Sequence, residues 1–336
     1  MYDLVRVAVD AMGGDNAPVE IVKGAVEAVN ADSRIQVYLV GQEDVVSEEL
    51  KKYTYPAERL EVVSATEVIE TGEPPVMAIR RKKDSSLVKA MNLVKEGTCD
   101  ALVSAGSTGA ILVGGQVIIG RIKGVDRAPL APIIPTATGV ALLIDCGANV
   151  DAKPLNLVQF AKMGSIYMEH VVGIKNPKVG ILNIGVEEEK GNALVKETYP
   201  LLKECSDIHF VGNVEARDVP AGVADVIVCD AFAGNVLLKT MEGVSSVLIK
   251  KIKAGLMSSL VTKIGAVMIK PALKGVVKSF STEEHGGAPM LGLNGLVVKT
   301  HGSSKAAEIR NSILQCIAFK EQNINDKIRE HIVPEI

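Results

Sequence analysis

The sequence contains no tryptophan, few other aromatic residues and no closely spaced pair of cysteines. Aromatic residues make up 3% of the 336 residues, whereas hydrophobic residues make up 47%. This composition is typical of a globular protein, and it requires an aliphatic core. The five cysteines are scattered without CxxC spacing, as is usual for reduced thiols in a cytosolic protein. We therefore predict a globular protein of the cytoplasm.

The sequence also shows no targeting segment and no membrane-spanning segment. Its start leads directly into the apolar stretch Leu4–Val9, without the basic region and cleavage site of a signal peptide. No run of about 18 uncharged apolar residues occurs, so we expect no transmembrane helix. The net charge of -3 argues against nucleic acid as a partner.

Several familiar catalytic and nucleotide-binding motifs are absent. There is no GxGxxG or GxxxxGK[ST], so the sequence predicts neither a dinucleotide fingerprint nor a P-loop. There is no GxSxG motif and no convincing Cys/His pair, which disfavours a covalent nucleophile. We expect no metal and no cofactor.

The pattern that is present consists of short apolar strands that alternate with helices. This alternation predicts an α/β protein whose sheet is mainly parallel and covered on both sides. No linker divides the chain, so we predict one interleaved domain over residues 1–336, with a helical insertion at about 243–282. The predicted strands are Leu4–Val9, Ile35–Val40, Leu60–Val63, Ala101–Val103, Ile133-Ile134, Val140–Ile144, Val179–Ile184, Ile208–Val211 and Val226–Cys229.

Six polar, glycine-containing loops follow apolar strands at equivalent positions. In open α/β sheets, ligands bind at the carboxyl ends of the strands, so six such loops indicate a shared site. In the loop Ser104–Gly109, Ser107 or Thr108 is suited to cap the following helix, and the backbone amides there are suited to an anion. A phosphate cradle and an ordinary tight turn both fit this loop. The six loops are Asp10–Asp15, Ser104–Gly109, Asp145–Asn149, Asn183–Glu187, Gly212–Glu215 and Asp230–Asn235.

A second distinctive region, Gly243–Thr282, holds seven lysines and no acidic residue. Apolar residues recur in it at helical spacing, and Pro271 interrupts the pattern. A basic amphipathic helix pair favours contact with an anionic membrane surface or an acidic partner. A helix pair at a dimer interface or in the core, with a solvated lysine face, fits equally. We predict membrane contact through Leu256, Leu260, Ile264 and Met268.

An ordered set of motifs along nearly the whole chain resembles the PlsX-type acyl-carrier-protein:phosphate acyltransferases of bacterial phospholipid synthesis. The motifs are DAMGGDNAP (Asp10–Pro18), SAGSTGA (Ser104–Ala110), DCGAN (Asp145–Asn149), NIGVEEEKGN (Asn183–Asn192), GNVEARD (Gly212–Asp218), CDAFAGNVLLK (Cys229–Lys239), GGAPMLGLNG (Gly286–Gly295) and HGSS (His301–Ser304).

The resemblance implies transfer of a long acyl chain from acyl carrier protein to inorganic phosphate. The acyl phosphate formed would supply a downstream membrane glycerol-3-phosphate acyltransferase. It also implies a homodimer and a three-layer α/β/α fold with a large mixed sheet, similar to isocitrate and isopropylmalate dehydrogenases and to phosphotransacetylases.

This chemistry assigns candidate roles to the loop residues. Lysines would hold phosphate, amides would stabilise the oxyanion, and acids or a histidine would orient lysines or relay protons. The catalytic candidates are Lys190, Lys239, Asn183, Asn213, Asp230 and His301. The candidates for substrate binding are Asp10, Gly13, Gly14, Ser104, Ser107, Thr108, Asn149, Glu187, Glu215 and Asn235.

Three other functions remain open at this stage. One is a phosphotransacetylase-like enzyme that uses acyl-CoA, and another is an NAD-linked dehydrogenase of similar fold. The third is a membrane-attached scaffold that binds carrier protein without turnover.

Overall fold

The computed structural model describes residues 4–279 and 285–332. The last residues of the predicted basic region, 280–282, lie outside these ranges. The strands of the described chain are β1 (Val5–Asp10), β2 (Ile35–Gly41), β3 (Leu60–Ser64), β4 (Ala101–Ser104), β5 (Ile133–Thr136), β6 (Gly139–Ile144), β7 (Lys178–Asn183), β8 (His209–Glu215), β9 (Val226–Val228), β10 (Ala288–Met290) and β11 (Leu296–Lys299).

Helices alternate with these strands along most of the chain. They are α1 (Val19–Ala31), α2 (Glu43–Leu50), α3 (Pro75–Arg81), α4 (Ser86–Lys95), α5 (Thr108–Gly114), α6 (Pro154–Tyr167), α7 (Ala193–Lys203), α8 (Ala231–Leu256), α9 (Leu260–Ser279), α10 (Ala306–Glu321) and α11 (Ile324–Ile332).

The strands form two hydrogen-bonded groups with the orders β10-β11-β4-β1-β2-β3 and β5-β6-β9-β7-β8. All neighbouring strands are parallel except the pairs β10–β11 and β5–β6. An isolated antiparallel bridge joins Met290 of β10 to Leu130, three residues before β5 begins. The mixed, mainly parallel α/β architecture predicted from the sequence is confirmed.

The core lies on both faces of the sheets and is largely aliphatic. In β1, Val7 and Val9 pack with the cluster under α1 and α10, while Ala8 faces the cluster under α4. Leu102 of β4 likewise points to the α4 side. Strands buried on both faces need continuous apolar runs, and burying one such side chain contributes about 1.5–3 kcal/mol. The layered arrangement follows from these runs.

Three elements of the structure are missing from the sequence prediction. The strands β10 and β11 are only three and four residues long, and glycines surround both, so neither gives a clear pattern. The helix α11 follows α10 directly and was not predicted from the sequence.

Pro271 does not end a helix, because α9 continues through it. Proline removes one backbone hydrogen bond, but the neighbouring turns keep theirs. The assignment of residues 1–336 to one domain stays a prediction.

Candidate active site

Three adjacent parallel strands, β11, β4 and β1, place polar side chains at their carboxyl ends. Asp10 ends β1, Ser104 ends β4, and Lys299 ends β11 in register with Ser104. The Asp10 carboxylate accepts hydrogen bonds from Ser104 Oγ (2.7 Å) and Ser86 Oγ (2.6 Å). Burial raises the pKa of this carboxyl above its ordinary value, and the two hydroxyls oppose that rise. Asp10 therefore holds the end of β4 and the start of α4 together through these two hydrogen bonds.

The glycines after Asp10 allow a close approach of three loops. A Cβ on Gly13 would lie 2.4 Å from Asp10 Oδ2, and Gly14 has a φ of +100° that favours glycine. The backbone N–H of Asp15 donates to the carbonyl of Gly302 at 2.7 Å. Glycine at positions 13 and 14 is thus required for packing the loops after β1, β4 and β11 together.

The loop Ser104–Gly109 contains both a capping residue and an exposed hydroxyl. Ser107 is the N-cap of α5, and its Oγ accepts from the backbone N–H of Ala110 at 3.5 Å. Ser107 is buried, whereas Thr108 is exposed and lines the cavity described below. Of the two capping candidates, Ser107 caps the helix, and the side chain of Thr108 is exposed at the cavity.

The loop Asp145–Asn149 is held by a network centred on one buried carboxylate. Asp145 accepts from the backbone N–H groups of Leu130 (2.9 Å) and Asn149 (2.8 Å) and from Asn149 Nδ2 (2.7 Å). Burial raises the pKa of the Asp145 carboxyl, and these donors oppose the rise. The Asn149 amide also donates to the carbonyl of Ala128 at 3.1 Å. Asn149 thus fixes the loop, and its role in substrate binding stays a prediction.

Two asparagines at the ends of β7 and β8 hold the segment that carries Lys190. Asn183 Nδ2 donates to the carbonyl of Lys190 at 3.1 Å, and Asn213 Nδ2 donates to the carbonyl of Glu187 at 2.7 Å. Lys190 and Glu187 have exposed side chains. These four residues and Glu215, which pairs with Arg217 at 2.8 Å, do not line the cavity below.

The start of α8 brings two predicted residues onto one face. Asp230 is the N-cap, and its Oδ1 accepts from the backbone N–H groups of Phe232 (2.9 Å) and Ala233 (3.0 Å). Asn235 and Lys239, four residues apart, share a helix face and line the cavity. Lys239 Nζ lies 2.7 Å from Glu242 Oε2. Asp230 therefore positions the helix, while Asn235 and Lys239 reach the site.

A cavity of about 710 Å³ lies where these strand ends meet α8. Four of the predicted residues, Thr108, Asn235, Lys239 and His301, line it. Its remaining polar lining includes Arg217, Lys299, Thr300 and Glu308. Its apolar wall comprises Leu130, Pro132, Ile133, Ile134, Pro135, Leu237, Leu238, Met241 and Val244. The cavity thus joins a cationic region to an apolar one. The other predicted residues do not line it, and their roles stay predictions.

Lys299 is a residue that the sequence prediction missed. Burial is the main cause that lowers its pKa from 10.5 to about 8. The available signal was a lysine that ends an apolar run, Leu296–Val298, directly before Thr300 and His301. Gly292 and Gly295 before this strand and Gly302 after it obscure its pattern, so the lysine was not predicted to lie at a strand end.

The comparison with known proteins assigns the family. The profile of a family described as fatty acid synthesis protein matches residues 5–327. The chain belongs to this family. It is 52% identical over 332 residues to a phosphate acyltransferase of Clostridium beijerinckii, covering 98% of this chain and 100% of the relative. The predicted family and the predicted class of enzyme, an acyltransferase, are both confirmed.

The structure also resembles solved structures at low identity. A phosphotransacetylase from Streptococcus pyogenes superposes with a TM-score of 0.61 at 17% identity, over 94% of each chain. A 4-hydroxythreonine-4-phosphate dehydrogenase from Klebsiella pneumoniae superposes with a TM-score of 0.50 at 14% identity, over 94% of this chain and 99% of that one. These similarities support the fold alone.

The described residues offer neither a grouped set of metal ligands nor a helix that could span a membrane. Within 4–279 and 285–332, no three His, Cys, Asp or Glu residues are grouped so as to hold a metal ion. The expectation of a metal-free reaction stays a prediction. Over the same ranges, no helix is both long enough and apolar enough to cross a bilayer.

Proposed function

We propose that the protein transfers a long-chain acyl group from acyl-[acyl carrier protein] to inorganic phosphate, yielding acyl phosphate for phosphatidic acid synthesis. The observation that carries this proposal is the cavity, in which an apolar wall adjoins lysines, a histidine and a threonine. The apolar wall suits an acyl chain, and the cationic region suits a phosphate dianion. One cavity therefore offers places for both reacting groups.

The reaction proceeds by direct attack of phosphate on the thioester. A phosphate oxygen adds to the carbonyl carbon, a tetrahedral oxyanion forms, and the carrier thiolate leaves. The one cysteine in the cavity lining is Cys146, and burial raises the pKa of its thiol to about 12. A thiol with this pKa is a poor nucleophile near neutral pH, which supports direct attack. Catalysis then depends on positioning and on charge stabilisation.

The test uses palmitoyl-carrier protein and inorganic phosphate, and it measures thiol release together with acyl phosphate. We expect release to require phosphate and to be faster with carrier protein than with palmitoyl-CoA. Faster turnover of acyl-CoA would identify a phosphotransacetylase-like enzyme instead. Binding of carrier protein without release from any acyl donor would favour the scaffold and refute the acyltransferase.

A variant in the apolar wall tests where the acyl chain lies. Met241→Gln keeps the side-chain length and adds a polar group to the wall. We expect a KM for palmitoyl-carrier protein several-fold higher, with the KM for phosphate unchanged. The matched control is Met77→Gln, at an exposed methionine on α3. Equal effects of both variants would place the acyl chain elsewhere.

We further propose peripheral association with the anionic inner face of the cell membrane, through α8 and α9. Leu260, Ile264 and Met268 are 78%, 66% and 78% exposed, whereas Leu256 is half-buried. Lysines accompany them on both helices. Exposed apolar side chains among lysines are suited to a bilayer interface. A dimer interface and contact with the acidic carrier protein are the alternatives.

Co-sedimentation with anionic and with neutral phospholipid vesicles distinguishes these alternatives. We expect binding to anionic vesicles that is lost in the double variant Leu260→Glu and Ile264→Glu. The control double variant, Val76→Glu and Leu155→Glu, changes exposed apolar residues elsewhere. Unchanged vesicle binding after the first pair would remove the membrane proposal. Sedimentation velocity of the same variants tests the proposed homodimer, and a carrier-protein titration tests the third alternative.

A further inference from the structure

The Lys299 ammonium lies in the cavity without a carboxylate partner. Its Nζ donates to the backbone carbonyl of Thr300, and no carboxylate oxygen of the described residues lies within ion-pair distance of it. Lys299 is half-buried, and its ammonium has three N–H donors, of which the carbonyl of Thr300 accepts one. The ammonium therefore still has donor capacity for an anion.

Three cationic side chains of the cavity lining, Arg217, Lys239 and Lys299, face two carboxylates, Glu242 and Glu308. Lys239 on α8 opposes the positive charge, while Glu308 on α10 and Asp15 after β1 favour it from a distance. His301 also lines the cavity, and its Nδ1 lies 2.8 Å from Ser303 Oγ. Burial lowers the pKa of Lys299 more than the two carboxylates raise it, so this pKa falls to about 8. Lys239 is paired with Glu242 at 2.7 Å, whereas Lys299 has no carboxylate partner among the described residues, so an anion in the cavity would stabilise the charged form of Lys299 first.

A second, independent observation concerns the neighbouring hydroxyl. Thr300 also lines the cavity and is 1% exposed, and its Oγ has no hydrogen-bond partner among the described residues. Buried hydroxyls are nearly always hydrogen-bonded, so an unpaired one indicates a missing partner. A hydroxyl beside an ammonium is a suitable donor pair for the oxygens of a phosphate.

We propose that Lys299 and Thr300 bind the oxygens of the phosphate dianion in this cavity, with Lys239 as the second cation. The inference rests on the proposed function and names the phosphate subsite of that reaction. It places the attacking phosphate at the cationic region, next to the apolar wall that receives the acyl chain. Both residues are therefore substrate-binding residues that no motif in the sequence analysis included.

The experiment measures binding of inorganic phosphate by calorimetry in the absence of any acyl donor. For Lys299→Met at pH 7 we expect affinity to fall by about 10- to 100-fold, the effect of losing one charge-assisted hydrogen bond. For Thr300→Val we expect a loss of about tenfold with a resistance to unfolding that is not lowered, because the hydroxyl that is removed has no partner among the described residues. The control is Lys196→Met, at an exposed lysine on α7, which should bind phosphate like the wild type.

The pH dependence provides a further readout. Wild-type affinity should fall by about tenfold between pH 7 and pH 9, as Lys299 loses its proton, whereas Lys299→Met should show no such fall. Wild-type phosphate affinity retained in both variants would overturn the proposal, even if one variant folds poorly. If only the proposed function is wrong, phosphate would still bind with this dependence on Lys299, but no acyl donor would release its thiol.

Discussion

Replacing Lys299 by methionine should make the protein more stable at neutral pH. The pKa of Lys299 falls from 10.5 to about 8 on folding, and at about 1.4 kcal/mol per pKa unit the buried charge costs about 3 kcal/mol. Methionine removes this cost. It also removes the hydrogen bond to the carbonyl of Thr300, which contributes about 1 kcal/mol. The expected net gain in the free energy of unfolding is about 2 kcal/mol.

The sign of this effect follows from where the proton is bound. Below pH 8, Lys299 is protonated in both states, so the folded protein bears the full cost. Between pH 8 and pH 10.5 the folded protein has released the proton while the unfolded chain keeps it, and the cost shrinks. Above pH 10.5 the cost is absent. At pH 9.5 about 1 kcal/mol of it remains, which offsets the lost hydrogen bond.

Urea unfolding of wild type and variant at pH 7 and pH 9.5 measures the difference directly. We expect a gain of about 2 kcal/mol at pH 7 that falls close to zero at pH 9.5. Lys196→Met should stay within about 0.5 kcal/mol of the wild type at both pH values. A variant that is less stable at pH 7, or a gain that does not change with pH, would refute the reasoning.

Three further predictions concern the loops after β1 and β4. Gly13→Ala should abolish most activity, because the new Cβ would lie 2.4 Å from Asp10 Oδ2, whereas Gly72→Ala has open space and should be neutral in the same assay. Ser107→Ala should lower the free energy of unfolding by about 1 kcal/mol through loss of the helix cap, measured in urea. Thr108→Ala should instead raise the KM for phosphate more than that for the acyl donor, without a change in stability. Equal effects on the two KM values would show that Thr108 has only a structural role.

The sequence was sufficient to predict that Asp10 and Ser104 follow apolar strands, and both residues end neighbouring parallel strands in the structure. The apolar runs before Asp10 and Ser104 made both strands recognisable, and parallel strands must bring their carboxyl ends to one edge. The motif Cys229–Lys239 after a predicted strand made Lys239 a candidate, and the structure places it in the cavity lining. These predictions rest on local patterns.

Other features depend on contacts between distant residues and could not be predicted. Asn183 and Asn213 were suitable oxyanion donors by residue type. In the structure each amide donates to a loop carbonyl, and the bond from Asn213 spans 26 residues to Glu187, while their role towards an oxyanion stays a prediction. Lys299 ends a four-residue strand with glycines on both sides, so the sequence did not mark this segment as a strand. Burial of that lysine arises only when α8, α10 and the strand ends assemble.

The geometry of α8 has a mechanical consequence. This helix of 26 residues begins beside the cavity and ends at Leu256, next to α9. It therefore spans about 39 Å as one continuous helix. If it tilts by about 10° about its start, its far end moves by about 7 Å and the backbone of Lys239 by about 2 Å. A partner that displaces the far end would therefore change the separation of Lys239 from Lys299. Docking at one end of α8 and the spacing of charges at the other are geometrically linked.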